Sequence, residues 1–211
     1  PLKDFAPISV LGTNPFVLGI NVSVPAKTVK EFVDYVKARP GQLNCGSAGT
    51  GAMGHLSAAL FVSRAGLTMT HIPYKGFSLA VSDLVGGQIQ MYFGNAAEII
   101  PQAKLGKVRL LGVSSPKRNA ELPDVPTAAE AGLPDFTVES WFGLVAPAGT
   151  PEAAVRRMNG ELKKTMAFKE IIDAIERLGL DITSSTPEEF SATIRRDWPK
   201  WSAAVKASGA K

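Results

Sequence analysis

The chain has 211 residues, 45% of them hydrophobic and 20% charged, which suits a globular protein with one large core or two small ones and excludes a disordered chain. Its 23 Lys and Arg against 19 Asp and Glu give a net charge of +4, but the basic residues are scattered among acids. That distribution excludes the clustered basic face of a nucleic-acid binder and leaves a mild preference for anionic small ligands.

One cysteine, Cys45, permits no internal disulfide and reads as a small core residue at a buried strand end. Two histidines, without carboxylates at ligand spacing, give no zinc cluster, so no metal and no cofactor is expected. Neither a membrane-spanning run nor a signal peptide is expected within these residues, and the start at Pro1 without Met reads as that of a processed or truncated product.

Residues 5–11 and 16–22 alternate or cluster apolar side chains as strands do, with Gly12-Thr13-Asn14-Pro15 between them; a hairpin and a crossing between lobes both fit. Thr28-Val29-Lys30-Glu31 is a capping box, and Phe32, Val33 and Val36 form the apolar stripe of a helix ending at Arg39-Pro40-Gly41.

Next comes the stretch that organises the chain, residues 43–56, LNCGSAGTGAMGHL. A buried strand ends at Cys45, residues 46–54 hold four glycines and two hydroxyls, and helical spacing resumes over 55–65. A glycine turn that opens a helix lets a ligand approach backbone amides lacking intrahelical acceptors at the positive end of the dipole, so it attracts phosphate or carboxylate. The Ser47 and Thr50 hydroxyls add donors, and no Lys or Arg lies between Arg39 and Arg64, so amides are expected to do the binding. A tight turn with no ligand is the plain alternative.

Gly49-Thr50-Gly51-Ala52-Met53-Gly54 also satisfies G-x-G-x-x-G, so a dinucleotide-binding oxidoreductase domain competes. That fingerprint needs an acid about 20 residues on, at the end of the next strand. Here the next strand covers 68–74, and the first acid after Gly54 is Asp83, inside a later helical pattern. No Gly-Lys-Ser/Thr follows the turn, which excludes a P-loop. As an enzyme the chain would rely on His55 with Ser47 or Ser57, and no acid is evident nearby to orient the histidine.

The strand–turn–helix unit then repeats. Pro73-Tyr74-Lys75-Gly76 leads into a helix over 78–85; a strand over 89–93 and Gly94-Asn95 lead into a helix over 96–105; a fourth strand covers 108–113. Such alternation predicts a parallel α/β sheet whose three turns line one crevice at the carboxyl ends of the strands. Residues 114–134 read as loop with a capping box at Thr127-Ala128-Ala129-Glu130. A long strand over 137–145 holds Trp141, helices follow over 152–166 and 169–178, and a short strand lies near 181–183. Thr186-Pro187-Glu188-Glu189 caps a last helix containing Pro199, which should kink it, with Trp198 and Trp201 packed on one face.

Eight strings, in order over nearly the whole chain, resemble the Bug/TctC extracytoplasmic solute-binding receptors of tripartite tricarboxylate-type transporters: 44–56 NCGSAGTGAMGHL, 71–76 HIPYKG, 83–88 DLVGGQ, 104–109 KLGKVR, 114–118 SSPKR, 122–132 LPDVPTAAEAG, 143–151 GLVAPAGTP and 186–190 TPEEF. The resemblance implies an α/β, type II periplasmic-binding-protein fold with two parallel-sheet lobes joined by a hinge, closing without catalysis on a small carboxylate. By that pattern residues 15–140 form lobe two with the glycine turn, and 1–14 with 141–211 form the remainder of an incomplete lobe one. Family members carry a further lobe-one segment before the equivalent of Pro1, with a proline-glycine loop on the other side of the ligand, so this chain is expected to hold about half a site. Carried over residue by residue, the ligand-binding candidates are Ser47, Ala48, Gly49, Thr50, Gly51 and His55 in the first turn, Tyr74, Lys75 and Gly76 in the second, and Gly94 and Asn95 in the third. Many members place an aspartate where this chain has Gly94, a position suited to a ligand ammonium, so the expected ligand is a dicarboxylate or aromatic acid without an amino group. The implied partners are membrane transporter subunits, the location periplasmic, and the full-length form a monomer.

Overall fold

The computed structural model describes residues 2–119, 121–134, 136–176 and 180–210. They form, in order, β1 (Phe5–Asn21), α1 (Val29–Lys37), β2 (Asn44–Ser47), α2 (Met53–Arg64), β3 (Thr70–Pro73), α3 (Phe77–Gly86), β4 (Met91–Asn95), α4 (Ala96–Lys104), β5 (Val108–Val113), β6 (Glu139–Pro147), α5 (Glu152–Thr165), α6 (Lys169–Glu176), β7 (Asp181–Ile182) and α7 (Pro187–Ser208). Two compact units result: the first is Pro1–Asn14 with Ser140–Ser202, the second Pro15–Glu139 with Ala203–Lys211.

Of the two arrangements open for residues 5–22, the structure has the crossing: one strand, β1, contributes its residues up to Asn14 to the first unit and the rest to the second. The expected helix over 169–178 is described to Glu176, and its last two residues lie outside the described residues.

The sheet of the second unit runs β3-β2-β4-β1-β5. β2 pairs in parallel with β3 and with β4, as the alternation of strands and helices predicts. The all-parallel expectation fails at β1, which is antiparallel to both β4 and β5. Its residues Phe16, Val17, Leu18 and Ile20 are all nearly inaccessible, so the segment needs cover on both faces and a neighbour at both edges. It takes the central slot over which β4–α4–β5 crosses. A continuous apolar run carries no mark of direction, which is why periodicity could not show this.

Neighbouring residues of β4 point to opposite faces and so sort the layers. Tyr92 packs with Ala80, Val81 and Leu84 of α3 and Ile99 and Ile100 of α4. Phe93 meets Phe61 of α2 at 5.6 Å and Phe136 at 5.7 Å, and Phe32 of α1 stacks on Phe61 at 6.4 Å. Helices thus cover both faces, and each fully buried large side chain contributes about 1.5–3 kcal/mol.

β6 pairs with β1, and β7 pairs with it at Gly12 and Thr13, in the first unit. Phe190 of α7 is fully buried, stands edge-on to Trp141 at 5.1 Å and fills the space left by Gly143. Ser9 and Ser185 exchange hydrogen bonds, and Asn159 Nδ2 donates to the carbonyls of Ile8 and Ser185. Trp198 and Trp201, as expected, share a face: both line one cavity of about 430 Å³ with Trp141 and Phe5. Pro199 stands within α7.

Candidate functional site

Because β3, β2 and β4 are adjacent and parallel, their carboxyl ends share one edge of the sheet. That edge is where open α/β sheets bind ligands. The first turn (residues 48–52), the second (74–76) and the end of β4 at Gly94 and Asn95 therefore lie side by side. Register brings the first two together: Ser47 pairs with Pro73, and Tyr74 N–H donates to Ser47 O at 2.9 Å. α2 meets the end of β4 at Gly54, where an added Cβ would stand 2.5 Å from Phe93 O, so only glycine permits this approach. Gly51 has φ +80°, a conformation L side chains rarely adopt.

Three helix N-termini meet this edge, and they differ. Asn95 caps α4, its N–H and Nδ2 donating to Glu98, so a carboxylate already sits on that N-terminus. Neither Ala52 at the start of α2 nor Gly76 at the start of α3 supplies a side-chain cap, and neither helix has an acid in its first turn. Every other helix has one among the described residues. Each N-terminus carries about half a positive charge. Two adjacent, uncompensated ones, with the exposed Lys75 just ahead of α3, leave this part of the edge electropositive.

The interior of the first turn differs from the expectation. Gly49 N–H donates to Ser47 Oγ at 3.3 Å and Gly51 N–H to His55 Nδ1 at 3.0 Å, so the two glycine amides tie the turn down. The amides of Ala48 and Thr50 have no protein acceptor among the described residues and are the donors left for a ligand. Ser47, fully buried, spends its hydroxyl on His71 Nε2 at 2.7 Å and Gly49 O at 3.0 Å. His55, 3% exposed, lies behind the turn.

In the second turn, the Tyr74 hydroxyl donates to Asp83 at 2.7 Å. Burial, and then Asp83, push its pKa up to about 12. Lys75 is exposed and Gly76 half-buried. In the third, an added Cβ on Gly94 would strike the Tyr92 ring at 2.4 Å, so an aspartate does not fit there without moving that ring. The third turn nevertheless holds an acid: Glu98 Oε2 lies 3.1 Å from the same point and accepts from Tyr92 Oη. The signal for Glu98 was the Asn95-Ala96-Ala97-Glu98 box; His71 had none apart from its place in the next strand.

The enzyme constellation is not assembled, since Ser57 Oγ donates to Met53 O at 2.6 Å and Ser47 pairs with His71 rather than His55. The acid a dinucleotide site requires does not end β3; Asp83 sits in α3, engaged by Tyr74. Burial pushes the Cys45 thiol up to about 11. Among the described residues no three His, Cys, Asp or Glu side chains form a metal cluster, and no helix is long and apolar enough to cross a membrane.

The sequence model of the tripartite tricarboxylate transporter family receptor matches residues 1–210. The chain belongs to that family. A UPF0065 protein in the tcbD-tcbE intergenic region of Pseudomonas sp. strain P51 is 36% identical over 200 residues, covering 94% of this receptor chain and 60% of its own length. The chain thus spans about three fifths of that curated relative. Two solved structures are also similar: an R. palustris protein with adipate (TM-score 0.79, 30% identity, 100% of this chain and 70% of that one), and MatC from Rhodopseudomonas palustris with bound malate (TM-score 0.76, 29% identity, 95% and 69%). The chain shares the α/β fold of these two proteins.

Proposed function

We propose that this chain is the carboxylate-holding part of a periplasmic receptor that captures a small organic acid, without catalysis, for the membrane subunits of a transporter, the full-length form acting as a monomer. The observation that carries this is the adjacent pair of uncapped, acid-free N-termini of α2 and α3, with Lys75 beside them. One carboxylate seats on the amides of Ala48, Thr50 and the first turn of α2, and Lys75 attracts a second. Adipate and malate in the two solved relatives agree with a dicarboxylate.

The acid carries no amino group. Gly94 leaves no room for another carboxylate, and Glu98 already accepts from Tyr92 Oη, Asn95 N–H and Asn95 Nδ2, so a ligand ammonium would have to compete for an engaged carboxylate and its burial would be poorly compensated. Calorimetry with succinate, malate and adipate against aspartate tests the proposal on this chain and on a full-length version. Tighter binding of aspartate overturns the exclusion of amino acids. Gly51→Val forces a branched side chain into a positive φ and should abolish dicarboxylate binding while the fold persists; unchanged affinity in a full-length Gly51→Val protein overturns the assignment of the turn.

A further inference from the structure

Two imidazoles lie behind the carboxylate turn and are tied to it. His55 of α2 and His71 of β3 stack with ring centroids 3.7 Å and planes 9° apart. Each gives one nitrogen to the turn: His55 Nδ1 accepts from Gly51 N–H at 3.0 Å, and His71 Nε2 meets Ser47 Oγ at 2.7 Å. Through Ser47, which also bonds the amide and the carbonyl of Gly49, the pair reaches both Gly49 and Gly51 of the turn.

The two bonds differ in what they tolerate. An amide can only donate, so His55 Nδ1 must present its lone pair and the neutral ring carries its proton on Nε2. A proton on Nδ1 would set two N–H groups against each other and break the bond to Gly51. A hydroxyl donates or accepts, so His71 keeps Ser47 in either state.

The surroundings favour neutral rings. Around the pair is a cavity of about 340 Å³, to which β2 contributes Cys45, α2 Ser63, the approach to β3 Met69, and the end of α7 Ala207 and Ser208. Among the described residues that line it, only the two histidines and the Cys45 thiol titrate. Stacking places any second positive charge against the first. Burial lowers the pKa of both rings, that of His71 to about 4 with His55 as the second cause.

Building on the carboxylate reading above, we propose that His55 and His71 are positioning residues of the binding turn: as a neutral stacked pair they hold Gly51 and Ser47 so that Ala48 and Thr50 keep unclaimed amides, and a proton on His55 releases the turn. Neither ring touches the ligand. His55, a ligand-contact candidate by resemblance, acts through Gly51 instead.

Proton–nitrogen NMR on the 211-residue chain tests this without any ligand. At pH 7.5 His55 should show a bare Nδ1 and a protonated Nε2, and acidification to pH 4.5 should move the Gly51 amide signal together with the His55 ring. His55→Asn leaves an acceptor near the place of Nδ1 but takes up no proton, so the Gly51 signal should hold its neutral-pH position and lose its response to acid. His55→Ala should lose both. With malate at pH 7.5, His55→Asn should bind within about threefold of the native chain and His55→Ala about tenfold more weakly, the loss of one positioning hydrogen bond. A protonated Nδ1 at pH 7.5, or a Gly51 signal that titrates in His55→Asn as in the native chain, overturns the proposal. Failure of the native chain to bind malate or adipate would count against the carboxylate reading, while the Gly51 titration still decides the role of the histidines.

Discussion

Strands β4 and β6 are both apolar, and they meet opposite fates. In β4, Met91, Tyr92 and Phe93 are at most 2% exposed, because helices cover both faces of the sheet. In β6, Phe142 is 51% exposed and Leu144 and Val145 are more than a third exposed. Whether a hydrophobic strand is buried depends on the layer above it as much as on its own sequence. The second unit therefore rests on packed side chains. The first has a smaller core, Phe190 against Trp141 with the buried Ile8, Val10 and Val155, and adds the polar ties of Ser9, Ser185 and Asn159.

The sharpest way to break this contrast is to remove equal volume from each. Ile99 fills the space opposite Gly19, so Ile99→Ala should cost about 2–5 kcal/mol in chemical denaturation, whereas Leu144→Ala on β6 should stay within about 0.5 kcal/mol. Comparable losses would show that β6 is as well packed as β4.

Acid should separate the units next. His55 and His71, both in the second unit, have pKa values lowered in the fold, so the unfolded chain binds protons that the folded one refuses. Stability from these rings is complete above about 6.5 and drains away as pH falls towards 4, by about 1–2 kcal/mol, a figure reduced because His71 borders an open cavity. In the first unit, burial raises Asp181, whose contribution improves as pH falls. Asp197 is also pushed up by burial, but Arg196 and Lys200 hold its pKa below normal, so its contribution is lost only below about 3.8. Hydrogen exchange at pH 7.5 and 5 should show the second unit loosening first; the reverse order would contradict the assignment of both histidines as neutral.

A smaller effect belongs to the capping boxes. Thr127 and Glu130 exchange hydrogen bonds across a turn that does not continue into an α-helix, so Thr127→Ala should cost about 1 kcal/mol in the second unit. A thermal shift no larger than that of an exposed ion-pair variant such as Lys30→Ala would show that the box contributes only within a helix.

Local chemistry was the most legible part of the sequence. The boxes at Thr127 and Thr186 form in full; at Thr28 the hydroxyl accepts from Glu31 N–H as expected, but the Glu31 carboxylate accepts from Lys27 N–H instead of Thr28 N–H, and partners three or four residues apart need no knowledge of the rest of the chain. The strand-to-helix turn at Gly49–Gly54 was legible for the same reason, although α2 begins at Met53, two residues before the expected start. The antiparallel course of β1 and the meeting of Ser47 with His71 were not. Both depend on strand pairing, and only the register of Cys45 with His71 brings residues 24 apart into contact. Glu98 lay between these cases, local in its box but tertiary in its hold on Tyr92.

All three tryptophans, Trp141, Trp198 and Trp201, fall in the first unit, and the lone thiol, Cys45, is buried in the second. The chain therefore carries two native reporters that do not overlap. Indole emission follows the loosening of the first unit, and the rate at which Cys45 reacts with a thiol reagent follows the opening of β2, the strand that leads into the glycine turn. Recorded on one sample, the two signals time the units against each other with no label introduced.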